Sequence, residues 1–247
     1  MFKGCFEFSA TIVGNSVSFP RGTIASTDPA VDRIEIESDG KEIRSTVFLK
    51  SASTKEHGLE LAAKANANVL NRLGYIYLVA IENARCTASA SDPQTTPGVL
   101  NAEVGHYFVF GQSATFVRGI QVASVVMELE NAMPGERHFG LLRSALQSIS
   151  PVDKFMHLYH ILLMLCGDKQ KAVEEFIDKN SVEPPPMTPD PRDASKMETV
   201  YTRLRNEFAH PTRGVPVEDI KKGMADWVGT LAQLTKQAIA IRDRRHD

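Results

Sequence analysis

Apolar and polar positions alternate through residues 1–50, the period of strands with one buried face. Phe2, Phe6, Phe8 and Ile12 fall at roughly alternate positions, and residues 33–37 and 42–49 flank Asp39-Gly40. That pair predicts a hairpin turn, because glycine accepts the positive φ such loops need. Charges at the opposite positions predict an antiparallel sheet wet on one face. Ser53-Thr54-Lys55-Glu56 reads as a capping box opening a helix to about Leu73, with Leu59, Ala62, Ala63, Asn66, Leu70 and Leu73 inward and Gly74 as its stop. Residues 75–81 are an unbroken apolar run, which predicts a strand buried on both faces. Residues 89–98, with Asp92-Pro93 and Pro97-Gly98, predict a surface loop. Strands are expected to resume at 106–110, 115–118 and within 120–129.

Pro134-Gly135 marks a boundary, after which the spacing changes to three and four. Residues 138–148 predict one helix. Ser150-Pro151-x-Asp153 starts the next: serine caps, proline pre-sets φ, and the aspartate sits at the positive end of the dipole. Val152, Phe155, Met156, Tyr159, Leu162, Leu163 and Cys166 form its core stripe, and Gly167 ends it. Asp168 is read as the cap of a shorter helix with Ala172, Val173, Phe176 and Ile177 inward. Residues 180–195 carry five prolines and no apolar period, so a loop is expected there. Residues 195–210 read as a helix between a Ser195–Glu198 capping box and Pro211. Its stripe is Met197, Val200, Tyr201, Leu204 and Phe208. In the last helix, residues 217–244, Val217, Ile220, Met224, Trp227, Leu231, Leu234, Ala238 and Ile241 form a seam that buries against other helices or a second copy of itself. The fold class is α+β: residues 1–133 a sheet with a packed helix, residues 134–247 a helical bundle.

Composition narrows the function. The formal charge is −2 over 247 residues. Residues 151–247 are neutral, so neither half is a basic body that would bind nucleic acid through long-range attraction. Cys5, Cys86 and Cys166 are widely spaced and odd in number, which points to reduced thiols in the cytoplasm and not to a disulfide frame or zinc site. The N-terminus lacks the apolar core of a signal peptide, and the densest apolar run, 161–166, is far short of the ~18 residues a spanning helix needs. Asp153, His157 and His160 share a helix flank at spacings of four and three. A solvated Asp–His pair explains them better than a metal site. No cofactor or metal is expected.

The helix at 195–210 carries the chemistry. Away from its apolar stripe lie Thr202, Arg203, Arg205, Asn206 and His210. Arg205-Asn206-x-x-x-His210 resembles the R-x(4–6)-H signature of HEPN domains, including the polar residue after the arginine. The longer string, residues 198–210, is similar to the J protein of methylamine-utilisation clusters. The resemblance covers about the last hundred residues.

The resemblance implies a HEPN-like helical domain that dimerises and cleaves RNA without a metal. His210 would act as acid or base, Arg205 would hold the scissile phosphate, and Asn206 would orient the histidine or the phosphate. Acid–base cleavage needs two proton-transferring groups and the chain offers one such histidine, so two copies would line one cleft. Arg203 and Thr202 are the expected substrate contacts. On an ideal helix Arg203 projects closer to His210 than Arg205 does, and Arg203-x(6)-His210 also fits the loose signature. The Arg-Asn pair and the proline that frees His210 favour Arg205, which could instead pair with Glu198. The alternative function is a non-catalytic accessory module, binding nucleotide or a partner protein or knitting a dimer. In that role Arg205 and His210 would be buried or paired internally.

Overall fold

The computed structural model describes residues 1–14, 16–91, 98–99, 117–119, 122–130, 136–190, 193–210 and 215–243. They divide into two compact units, Met1–Glu136 and Arg137–Asp247.

The first unit is a sheet with helices packed on it. Its long strands are β1 (Phe2–Val13), β2 (Ser16–Ala25), β3 (Val31–Asp39), β4 (Glu42–Ala52) and β5 (Ala80–Ala90), with α1 (Lys55–Tyr77) between the last two. All five pair antiparallel, in the order β5-β1-β4-β3-β2. Two short strands extend the edges: β6 (Gly98–Val99) beside β5, and β7 (Val117–Gly119) parallel to β2. The α+β reading holds, and so does the hairpin. Gly40 takes a φ of +97°, and Asp39 Oδ1 accepts from the Lys41 and Glu42 amides at 2.9 and 2.8 Å. Phe6, Phe8, Ala10 and Ile12 face α1 and pack with Ile34, Ile36, Val47 and Leu49 against Ala62, Val69, Leu70 and Leu73. Inside this core the Ser45 hydroxyl donates to Asn66 Oδ1 at 2.7 Å, which gives the buried amide its partner.

Four expectations for this unit need correction. Gly74 lies inside α1, which continues to Tyr77 and ends at Leu78 in the left-handed region, φ 52°. The apolar run at 75–81 is therefore the last turn of a buried helix followed by the start of β5. Helix and strand look alike in so short a run. The capping side chain at the start is Thr54, whose hydroxyl accepts from His57 N, and not Ser53. Within 120–129 the strand is replaced by α2 (Val122–Glu130), which packs on β2 and buries Val125 and Leu129. Burial of one helical face overrides the strand preference of its valines. The strand expected at 106–110 and most of the loop at 89–98 lie outside the described residues.

The second unit comprises α3 (Glu136–Gln147), α4 (Pro151–Leu165), α5 (Gln170–Asn180), the short strands β8 (Met187–Asp190) and β9 (Asp193–Thr199), α6 (Val200–Ala209) and α7 (Val217–Asp243). Helix α4 starts as its sequence dictates, the Ser150 hydroxyl accepting from Asp153 N at 3.3 Å. It stops in a Schellman turn: Gly167 N donates to Met164 O, and Asp168 N to Leu163 O. The seam of α7 packs on α4 and α6, burying Ile220, Met224, Leu231, Leu234 and Ala238.

Here too the sequence reading is corrected at helix starts. Asp168 is not a cap; it sits at φ 58° as the last residue of the Schellman turn, and α5 begins after Lys169 without a side-chain cap. Residues 187–190 and 193–199 form a two-stranded antiparallel ladder where a loop was expected. That ladder displaces the Ser195–Glu198 capping box. The N-cap of α6 is Thr199, whose side chain accepts from Thr202 N.

Candidate functional site

The short helix α6 positions the motif. Its buried side carries Tyr201 and Leu204, as the apolar spacing requires, but also Thr202 and Glu207. Met197 and Phe208, assigned inward from sequence, are 51% and 36% exposed. The start of the helix four residues later, out of a strand, removes Met197 from the helical stripe. Thr202 is therefore corrected as a substrate contact. It is fully buried, its hydroxyl 2.9 Å from Tyr159 Oη and 3.4 Å from the Thr199 hydroxyl. Thr199 in turn is held by Glu174 of α5, through its amide at 2.9 Å and its hydroxyl at 3.3 Å. Burial pushes the Tyr159 phenol up to about 12, partly offset by the Thr202 hydrogen bond.

The two arginines differ in their partners. Arg203 Nε donates to Glu207 Oε1 at 2.9 Å, an i,i+4 ion pair whose carboxylate side chain is only 6% exposed. Its charge is spent on a nearly buried partner. Arg205 is half-buried and donates from Nη1 to Asn206 Oδ1 at 2.9 Å. Asn206 Nδ2 donates to Glu198 Oε1 at 3.0 Å, and Gln170 Nε2 reaches the same oxygen at 3.1 Å. The Arg205–Glu198 pairing considered from sequence is thus indirect, with an amide between the charges.

His210 is the exposed C-cap. Its φ of −138° and ψ of 76° have left the helix, while its N–H still donates to Asn206 O at 2.8 Å. The structure therefore brings Asn206 and His210 to the final turn and end of one helix, with Arg205 just before that turn and bonded to Asn206. A recess of about 560 Å³ lies beside this end, lined by Phe208, Ser150, Asp153, Glu218, Lys221 and Lys222 among others. Its charged groups balance, and Lys221 is paired with Glu218 at 2.9 Å. A larger recess, about 630 Å³, lies between the ends of α4, α5 and α7 and contains none of the motif residues.

Among the described residues no three His, Cys, Asp or Glu side chains converge as metal ligands. His157 Nδ1 lies 3.1 Å from the Ser148 hydroxyl. No helix of the described residues is long and apolar enough to cross a membrane.

Sequence reasoning named Glu198 as a helix cap and a direct partner of Arg205 but missed its bond to Asn206, and it missed Gln170 and Glu174 behind α6 and Glu207 against Arg203. Of the missed residues, only the Arg203–Glu207 spacing was a readable signal. Comparison with protein-family models, with curated proteins and with solved structures finds no match to this chain.

Proposed function

We propose that the protein is an RNA- or nucleotide-directed protein of HEPN type, acting as a metal-independent endoribonuclease in a homodimer. The observation that carries this reading is the end of α6, where an exposed imidazole leaves the helix one turn beyond Asn206, whose amide oxygen accepts from Arg205. In the proposed reaction the ribose 2′-oxygen loses its proton to one His210 and attacks phosphorus. The bond from phosphorus to the 5′-oxygen breaks, and His210 of a second copy protonates that leaving oxygen. The products are a 2′,3′-cyclic phosphate and a free 5′-hydroxyl. Arg205 offers guanidinium N–H groups to the phosphate oxygens as charge builds on them. The three free cysteines fit a reducing, cytoplasmic setting for this reading.

The test is cleavage of a structured RNA by purified protein in EDTA, comparing wild type with His210→Ala and Arg205→Ala. Cyclic-phosphate ends, lost in both variants, are the expected result. No cleavage by wild-type protein, with all three proteins folded, would sink the catalytic reading. The internal tether of Arg205, through Asn206 to a buried carboxylate, favours a second reading. In that one the motif belongs to a non-catalytic accessory module that binds nucleotide or a partner protein.

A further inference from the structure

We infer that Glu198 is the positioning residue of the motif: it fixes the direction of the Asn206 amide and, through that amide, the direction of the Arg205 guanidinium. The inference rests on the phosphate-handling role proposed for Arg205. Glu198 is 4% exposed in β9, immediately before the cap of α6, and one of its oxygens takes both the Asn206 and the Gln170 amide.

An asparagine side chain presents a donor on one side and an acceptor on the other, and the two can exchange by a rotation. Between a carboxylate, which only accepts, and a guanidinium, which only donates, one orientation is satisfied. The reversed amide would set oxygen against carboxylate and N–H against guanidinium. Glu198 therefore obliges Asn206 to show its oxygen to Arg205. A neutral group in contact with Arg205 also leaves its charge available to an anion. Arg203, in direct contact with Glu207 at 2.9 Å, lacks that freedom. The same relay explains why a buried acid beside the motif does not cancel it: charge and direction are supplied by different residues.

The experiment compares Glu198→Ala, Glu198→Asp and Glu198→Gln with wild type by two readouts. One is the side-chain 15N–1H resonances of Asn206 and of Arg205 Nε in the full-length protein without RNA. The other is the affinity for a 2′-O-methylated RNA oligonucleotide that cannot be cleaved. Glu198→Ala should move both resonances and weaken binding about tenfold, the size of one charge-assisted hydrogen bond. Adding Arg205→Ala to it should cost nothing beyond Arg205→Ala alone. Glu198→Gln, whose carbonyl still accepts from Asn206, should restore both readouts. Glu198→Asp shortens the reach without removing the charge and should move the resonances in the same sense; it decides the matter if the alanine variant does not fold. A purely structural glutamate would lower stability while leaving the Arg205 resonance in place, and that result overturns the proposal. Absence of RNA binding by wild-type protein would refute the proposed function, while the resonances still judge the positioning role.

Discussion

Thr202 and Glu207 sit on the side of α6 that meets the core, where the Thr202 hydroxyl meets those of Tyr159 and Thr199 and Glu207 accepts from Arg203. A buried group that loses its partner costs more than the bond was worth, because it has already left water. Thr202→Val should therefore lower stability by about 1–3 kcal/mol by stranding the Tyr159 hydroxyl, and Tyr159→Phe added to it should recover part of the loss. Urea unfolding of the single and double variants measures this. The first unit offers a pH-dependent counterpart. The carboxyl of Glu42 is held below its usual value of 4.5, first by the Ser9 hydroxyl and then by Arg44. A depressed carboxylate stabilises the fold fully above its unfolded value and loses that contribution as the pH falls through the lower folded one. The expected signature is a fall in stability beginning near pH 4.5. It should be shallower in Ser9→Ala, as read by unfolding curves from neutral pH to about pH 3.

Element boundaries depend on which local signal wins. Thr199→Ala should cost about 0.5–2 kcal/mol, the usual loss of a helix cap, measured by thermal unfolding. Gly4→Ala tests the sheet. A Cβ there would lie 2.1 Å from the Ala90 carbonyl oxygen, at a register shift in β1, and backbone cannot yield as a side chain can. A loss of about 1–3 kcal/mol or more is expected. Where signals were local and agreed, the elements were legible: Asp39-Gly40 between alternating runs, Ser150-Pro151 before a stripe, the long seam of α7. Tertiary partners hid the others. Ser195 has the spacing of a capping box, yet Thr188 and Pro189 pair with Glu198 and Met197 and keep the chain extended to Thr199. The motif itself could be read because Arg205, Asn206 and His210 are close in sequence. The bonds of Glu198 to Asn206 and Gln170 could not, since they exist only once β9 and α5 are in place.

At the scale of the whole molecule, low net charge sets the expected binding behaviour. If RNA binds as proposed, with Arg205 and its counterpart in a second copy as the only phosphate contacts, two counterions are released on binding a single strand. Log affinity should then fall with log salt with a slope of about −1.4. A slope several times steeper in a titration across salt would mean that a basic surface elsewhere carries the binding. The sheet order has a further consequence, for synthesis. β1 is made before both of its neighbours, β4 and β5, and the Thr87 hydroxyl of β5 bonds the Glu7 carbonyl from 80 residues away. At roughly 5–20 residues per second, one edge of a Phe-rich strand stands bare on the ribosome for about 4–16 s. An unpaired apolar edge recruits other strands. Crowding on polysomes should therefore endanger this protein most before α1 and β5 have emerged, and slow codons placed there would lengthen the exposure.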